Sequence, residues 1–299
     1  MTAVSPMTRP AAGPVKPTGS ARLGRRKLYN SMFVAFCTTT AVIALLFLAA
    51  ILVSLLTQGI GGLNLDIFTM DTPAAGSRGG LRNAIVGSLM MCAVAMIGAL
   101  VIGVAAGTWL AEYGKESRYA QVIRFLNDVL LSAPSILVGL FVYTLMVKNG
   151  LGHFSGWAGA VALALIAAPV VTRTTEDVLK LQARALRESG VALGAPLWHT
   201  IRAILWRAAS GGIITGALLA FARVSGETAP LLFTSLSNQF FNWDMSQPMA
   251  NLPVVIFNDA LSAYDDLRRL AWVGALLITL AVLSINILVR VLARETRRS

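Results

Sequence analysis

The most informative charged stretch of this chain is Arg184-Ala-Leu-Arg-Glu-Ser-Gly-Val-Ala-Leu-Gly194, and it leads into the apolar run Ala208–Ala222. That run is too short to cross a bilayer alone, because a crossing helix needs about 20 residues. It reaches this length only by continuing through Arg223 and Glu227 to Pro230. A charge at membrane depth costs at least about 2.5–3.5 kcal/mol, so we expect both side chains to face protein or water.

Composition places the chain among membrane proteins. Hydrophobic residues make up 56% of it and charged residues 13%, whereas soluble domains average about 45–50% and about 25%. Six uncharged runs are candidate membrane helices: Leu28–Leu65, Asn83–Ala111, Val129–Val147, Phe154–Thr172, Ala208–Ala222 and Leu270–Val289. The sequence therefore predicts an all-α polytopic membrane protein with six transmembrane helices.

The net charge of +11 follows membrane topology. With both termini inside, 19 of the 25 lysines and arginines fall on the inner side and five on the outer side, and Arg223 lies within the membrane. Such a bias orients a membrane protein, because basic loops stay in the cytoplasm. The basic excess is therefore topological, and we expect the lipid bilayer, and no nucleic acid, as a partner.

Three parts are expected along the chain. Residues 1–29 contain no acidic residue and no apolar periodicity, which is typical of a disordered basic arm on the cytoplasmic side. Residues 30–293 form the transmembrane domain, and residues 294–299 form a cytoplasmic tail. The apolar run Met32–Leu56 is too long for a signal peptide, so we expect it to remain as the first membrane helix.

The long inward loop, residues 173–207, is too charged to lie in lipid. Three residues at helical spacing form one stripe, which predicts an amphipathic helix outside the membrane: Leu181, Ala185 and Ala192. Gly190 and Gly194, with Pro196 just after, favour the end of that helix and a turn. We expect a helix-turn-helix elbow, and the alternative is a solvated connector.

The elbow resembles the cytoplasmic coupling loop of ATP-binding-cassette importer permeases. The matching residues are Glu188-Ser-Gly-x-x-x-Gly194, followed by Ile204. This chain departs from the family pattern at Ser189 and Gly190, where the pattern has alanines, and at Arg207, where it has proline. The resemblance implies contact with an ATPase through four residues: Glu188, Ser189, Gly190 and Gly194.

A second resemblance is more specific and covers roughly residues 30–293. Four segments are similar to the PstA family of phosphate transport permease subunits: Leu126-Asn-Asp-Val-Leu-Leu-Ser-Ala-Pro-Ser135, Ala222-Arg-Val-Ser-Gly-Glu-Thr-Ala-Pro-Leu-Leu-Phe-Thr234, Ser237-Asn-Gln-Phe240 and Gln247-Pro-Met-Ala-Asn-Leu-Pro253. This resemblance implies the type I ABC importer permease fold, half of a translocation pore, and a place in a bacterial inner membrane.

The resemblance also implies partners. A type I phosphate importer combines such a subunit with a second permease subunit (PstC-like), a cytoplasmic ATPase dimer (PstB-like) and a periplasmic phosphate-binding protein (PstS-like). The chain contains no Gly-x-x-x-x-Gly-Lys-[Ser/Thr], so it has no P-loop of its own. We therefore expect the partner ATPase to use ATP and Mg, and this chain to be a transport subunit without cofactor, metal or enzymatic activity.

Arg223 and Glu227 form the expected substrate pathway. A guanidinium stays charged and offers two parallel donors to phosphate oxygens. In a continuous helix, Glu227 lies one turn later on the same face, where it competes for the arginine and lets the anion leave. The alternative is an intrahelical pair that only cancels two charges.

Three further features carry expectations. The outward segment 234–257 is polar and aromatic, and we expect it to form a scoop over the pore mouth that meets the binding protein. Gly103-x-x-x-Gly107 and Gly212-x-x-x-Gly216 are expected to be helix-packing faces. Pro134 and Pro169 are expected to kink the third and fourth spans, and the alternative is that they act as gating hinges.

Two other function classes fit the sequence less well. A proton-coupled secondary carrier would use Arg223 and Glu227, but it has no need of a coupling elbow. A membrane hydrolase would use Ser225 as its nucleophile, but the spans contain no histidine to activate it. Within the importer class, phosphate and a related oxyanion both remain open as substrates.

Overall fold

The structure is a computed structural model that describes residues 20–114 and 117–295. Every regular element in that part is a helix: α1 Ser20–Ile60, α2 Asp66–Thr69, α3 Arg82–Thr108, α4 Arg118–Ser132, α5 Ser135–Val142, α6 Gly156–Lys180, α7 Arg184–Ala192, α8 Leu197–Thr200, α9 Trp206–Val224, α10 Ala229–Thr234, α11 Leu252–Ala260 and α12 Asp265–Glu295. Three π-helical stretches extend α3, α5 and α8: Trp109–Gly114, Tyr143–Leu151 and Ile201–Leu205. The predicted all-α class is confirmed. The predictions for residues 1–19 and 296–299 lie outside the described residues.

The described residues up to Ser54 form one compact unit, and those from Leu55 onwards form a second. In the first unit, α1 exposes every side chain from Gly24 to Ser54, and most of them are apolar. A helix that is apolar on all sides needs lipid or another membrane helix around it. Residues 20–29, which the sequence assigned to a disordered arm, are instead the first turns of this helix.

Five helical stretches are long and apolar enough to cross a membrane: Gly24–Ile60, Arg82–Gly114, Gly156–Lys180, Leu197–Val224 and Asp265–Ile287. The remaining predicted span is broken, because α4 and α5 meet at 104°. Ala133 is extended, because a residue before proline avoids the helical region. Pro134 then directly precedes α5. Six spans are present if this bent pair counts as one, and the predicted kink at Pro134 is confirmed.

Helix α6 is central to the second unit and packs against α3, α4, α5, α9 and α10. Glycines let two of these neighbours approach closely. A Cβ on Gly107 of α3 would lie 2.5 Å from the carbonyl oxygen of Thr172, and one on Gly216 of α9 would lie 2.2 Å from the hydroxyl oxygen of Thr174. These distances leave room for glycine alone, so the predicted packing role of both Gly-x-x-x-Gly faces is confirmed.

The fifth span ends earlier than predicted. The sequence carried it through Glu227 to Pro230, but α9 stops at Val224, and Ser225 and Gly226 form a turn. The short helix α10 then begins with Pro230 in its first turn. Proline has no N–H to donate, so it suits the start of a helix and breaks the interior of one. The prediction of one continuous helix across this region is wrong.

Helices occupy much of the predicted inward loop, residues 173–207. Helix α6 continues to Lys180 and α8 begins at Leu197, which leaves residues 181–196 with α7 among them. The predicted bounds followed the positions of charged residues, whereas the helices extend beyond the apolar part of each span. The helix-turn-helix elbow itself is present.

Candidate functional site

Helix α7 turns a different face towards the chain from the predicted one. All three residues of the predicted stripe are exposed: Leu181, Ala185 and Ala192. The inward face consists of Leu186, which packs on a buried apolar cluster, half-buried Arg187 and buried Gly190. The apolar periodicity predicted a stripe that leaves Arg187 off it, whereas Arg187 lies on the inward face. A charged residue goes inward here because it finds a buried partner.

A buried ion pair connects α7 to the membrane helices. The guanidinium of Arg187 donates from Nη2 and Nε to the carboxylate of Glu112, at 2.6 and 2.9 Å. It also donates to the carbonyl oxygens of Leu179 and Gln182, at 2.7 and 2.8 Å. Glu112 lies within the π-helical stretch after α3 and is only 6% exposed. The hydrogen bonds with this carboxylate outweigh burial and raise the pKa of Arg187, so the arginine stays charged.

Two glycines shape the elbow for separate reasons. Gly190 lies against Thr200, whose hydroxyl oxygen would be 2.3 Å from a Cβ at position 190. This contact accounts for a glycine where the coupling-loop pattern has alanine. Gly194 follows the end of α7 with a φ of +74°, a left-handed conformation that glycine adopts without strain.

The outer side of the elbow is an exposed, partly apolar surface. Glu188 and Ser189 are exposed on α7. Four large apolar side chains are exposed around them, Leu181, Val191, Leu193 and Trp198, and we call these six residues the elbow surface. The charges of the elbow keep it out of lipid, and an exposed apolar patch of a segment in water marks a protein-binding surface.

A second buried carboxylate lies near the first. Glu176 in α6 is 1% exposed and accepts hydrogen bonds from Arg124 Nε at 2.7 Å and from Lys180 Nζ at 2.5 Å. Arg124 belongs to α4 and also donates to the carbonyl oxygen of Leu110, at 3.1 Å. The sequence interpretation missed both buried carboxylates and their arginines. The available signal was one acidic residue close to the inner end of each apolar run, at Glu112 and at Glu176.

Arg223 and Glu227 lie on either side of the break after α9. Arg223 is exposed in the last turn of α9, where the helix dipole favours a cation, and Glu227 is half-buried beyond the turn. They do not share a helical face as predicted, because the helix ends between them. In the described chain no ion pair includes either side chain. The charge of Arg223 is therefore open to another group.

Two broken spans meet after the end of α9. Helix α10 packs against α5, where a Cβ on Gly139 would lie 2.6 Å from the Cα of Pro230. Each of these short helices follows a break, at Pro134 in one case and at Gly226 in the other. Non-helical backbone is tolerated at membrane depth only where protein or water satisfies its polar groups. The breaks therefore indicate a surface that faces a water-filled path or another subunit.

The outward segment 234–257 is ordered by buried hydrogen bonds. The side chain of Asn251 is fully buried and accepts from the N–H of Val254, at 3.0 Å. Its amide donates to Ser235 Oγ at 3.0 Å and to the carbonyl oxygen of Leu236 at 3.3 Å. Helix α11 follows directly, so the expected scoop consists of an irregular stretch and the first part of a helix.

Exposed aromatic side chains lie on this outward segment, next to a residue that Arg82 and Asp71 hold in place. Phe240 and Trp243 are 77% and 66% exposed. The guanidinium of Arg82 lies over the ring of Phe241, 4.7 Å from its centroid. Asp71 accepts hydrogen bonds from Arg82 Nε and from the N–H of Phe241, at 2.9 and 3.2 Å. Exposed aromatic residues on an ordered base are typical of a surface that binds protein.

The fold is that of a membrane subunit of a binding-protein-dependent transporter. Residues 99–298 match the family of binding-protein-dependent transport system inner membrane components. One similar structure is a chain of the inward-facing MetNI methionine ABC transporter, with a TM-score of 0.60 and 17% identity over 71% of this chain and 94% of that one. A chain of an amino acid ABC transporter solved with histidines gives a TM-score of 0.51 and 17% identity over 71% and 92% of the two chains. Both show the type I ABC importer permease fold.

Proteins of similar sequence match a larger part of this chain than these two structures do. The phosphate transport system permease protein PstA of Haemophilus influenzae is 54% identical over 89% of this chain and 94% of its own length. PstA of Yersinia pestis is 52% identical over 89% and 90%, and PstA of Mycobacterium leprae is 35% identical over 88% of each. The chain therefore belongs to the PstA family of phosphate transport system permease proteins. It is a multi-pass membrane transport subunit and not an enzyme, and the family works with an ATPase and other subunits.

Proposed function

We propose that this chain is the permease subunit of an ATP-driven phosphate importer and forms half of its translocation pore. The observation that carries the proposal is Arg223, which is exposed at a break in a membrane span and has no carboxylate partner in the described chain. A charge at such a depth is retained for a pathway or a ligand. The relatives are named as phosphate permeases, and a guanidinium suits phosphate oxygens.

In this proposal Arg223 is the transient binding site that neutralises the charge of the anion. Phosphate leaves water only if another group compensates its charge, and a guanidinium does so with two parallel N–H donors. Glu227 competes for the same arginine and favours release of the anion. Because the turn at Ser225 and Gly226 separates the two side chains, movement of α10 relative to α9 changes the distance between them.

The elbow surface is the proposed dock for a cytoplasmic ATPase dimer of the PstB type. Glu188 and Ser189 supply polar contacts beside exposed Val191 and Leu193, while Gly190 and Gly194 set the bend. ATP and Mg would be bound by that dimer, because this chain has no P-loop sequence. The chain itself would hold no cofactor and no metal.

The outer face is the proposed dock for a phosphate-binding protein of the PstS type, through the exposed Phe240 and Trp243. A second permease subunit of the PstC type would complete the pore. The bias of basic residues supports a place in the bacterial inner membrane with both termini in the cytoplasm.

Reconstitution of the four kinds of subunit in liposomes tests the proposal. With the binding protein outside and ATP inside, uptake of radiolabelled phosphate is expected to require ATP, to stop with vanadate and to survive a protonophore. Uptake that follows a proton gradient without ATP would contradict the proposal. Uptake of sulfate or molybdate in preference to phosphate would assign a related oxyanion instead.

A further inference from the structure

Two arginines connect α3 with α6 in a reciprocal pattern. Arg124 joins the carboxylate of Glu176 in α6 to a main-chain carbonyl of the π-helical stretch after α3. Arg187 joins the carboxylate of Glu112, in that same π-helical stretch, to a main-chain carbonyl of α6. Each arginine therefore binds the side chain of one helix and the main chain of the other. Arg124 belongs to α4, but Arg187 belongs to α7, which bears half of the elbow surface.

The side chain of Arg187 connects α7 to two membrane helices. The body of α7 packs against α8 and the π-helical stretch after it. The side chain of Arg187 reaches beyond them and binds Glu112, Leu179 and Gln182 together. One side chain of α7 therefore holds the ends of two membrane helices that pack against each other. A displacement of α7 is passed through these bonds to α3 and α6 at the same time.

We infer that Arg187 is a positioning residue that transmits movement of α7 to α3 and α6, and so connects the elbow surface with the membrane pathway. The inference rests on the proposed function, because it takes the elbow surface as the ATPase dock. Glu112 is the fixed end of this connection, since a carboxylate that is only 6% exposed needs its charged partner.

A purely structural ion pair makes a different prediction. If Arg187 and Glu112 only cancel each other's charge, neutralising both residues restores what either single change removes. If Arg187 transmits movement, Arg187→Gln with Glu112→Gln assembles but remains uncoupled. Two neutral amides form weaker hydrogen bonds than a forked arginine–carboxylate pair, and glutamine is too short to replace the whole guanidinium fork.

The test measures phosphate uptake and ATP hydrolysis in the same liposomes, with the complete transporter. The single and double variants of Arg187 and Glu112 are compared with Arg202→Gln, which removes an exposed arginine near the elbow. We expect uptake per ATP hydrolysed to fall about fivefold or more in the double variant, in the range of coupling between linked sites. The ratio is expected to stay unchanged in Arg202→Gln and to recover only in part in Arg187→Lys, because an ammonium lacks the fork.

A second readout does not depend on transport. Spin labels at the exposed positions Ala185 in α7 and Ile97 in α3 report the distance between these helices, once Cys37 and Cys92 are replaced. Loss of Arg187 is expected to broaden that distance distribution. An unchanged distribution, or a double variant with normal uptake per ATP, overturns the inference. A wild-type complex without ATP-driven phosphate uptake would refute the proposed function, while the distances still decide the role of Arg187.

Discussion

Gly190 lies so close to Thr200 that a Cβ at position 190 would be 2.3 Å from the threonine hydroxyl oxygen. Thr200 is fully buried, and its hydroxyl has no hydrogen-bond partner within the described chain, so it acts here through its volume. The contact brings α7 directly against α8. The orientation of the elbow surface therefore depends on the absence of one methyl group.

Gly190→Ala is expected to displace α7 and to lower phosphate uptake, although alanine favours a helix by about 1 kcal/mol. Adding Thr200→Ala removes the two closest atoms and leaves the nearest one at 3.0 Å, so we expect it to recover most of the loss. Gly211→Ala is the control, because a Cβ there meets nothing within 4 Å. Uptake and the amount of ATPase retained on purification are measured. A Gly190→Ala complex that behaves as wild type would show that this contact does not set the elbow.

Gly194→Val is expected to uncouple ATP hydrolysis from transport while the protein still inserts. A Cβ at this position meets no atom within 4 Å, so the effect comes from the φ of +74° alone. A side chain in this conformation costs about 1–2 kcal/mol, and asparagine tolerates it better, so Gly194→Asn should be milder. Gly76→Val introduces the same strain in the loop between α2 and α3, at a φ of +78°, and should leave coupling intact. Normal transport by Gly194→Val would contradict the assignment of the elbow.

Asn242→Cys is expected to react with a membrane-impermeant thiol reagent added from outside. Leu193→Cys in the elbow, where the native side chain is 85% exposed, should react only when the reagent reaches the cytoplasmic face. Both variants are made after Cys37 and Cys92 are replaced, and labelling is measured in intact cells and in inverted membranes. The reverse pattern would refute the topology and the docking surface proposed for the outward segment.

Arg223→Gln is expected to abolish uptake, and Arg223→Gln with Glu227→Gln should stay inactive. The structure separates these residues by the end of α9, so neutralising Glu227 does not replace the lost donor. Arg207→Gln removes an exposed arginine from the same helix and should retain uptake. Radiolabelled phosphate uptake is compared at equal amounts of assembled transporter. Recovery of the double variant to near wild-type rates would make the two residues a structural pair.

Asp259→Asn is expected to raise thermal stability at pH 7.5 but not at pH 4. Asp259 lies in α11, and its burial, with the neighbouring charge of Asp266, raises the pKa of the carboxyl to about 6. The folded state then favours the protonated form, so the stability this group contributes at acid pH is lost as pH rises from the ordinary pKa of 3.8 through about 6. Melting temperatures are compared at the two pH values, with the exposed Asp244→Asn as control. An equal effect at both pH values would contradict the burial argument.

The membrane spans were predicted from the sequence because length and hydropathy are properties of a local window. The sequence interpretation missed the break after Val224, where Ser225 and Gly226 form a turn and α10 has Pro230 in its first turn. Composition favoured a longer helix there. The elbow was located correctly, but its face was predicted wrongly, because periodicity cannot place Arg187 inward without knowledge of its partner.

The sequence by itself determined the fold class, the family and the location of the elbow, because apolar runs and motif spacing are read along the chain. Only the tertiary structure decided that Arg187 binds Glu112, which lies 75 residues away, and that Arg223 and Glu227 do not form a pair. A buried charge is stable only beside its partner, and that partner is set by how α3, α6 and α7 pack in space. Such pairing leaves no periodic signal in the sequence.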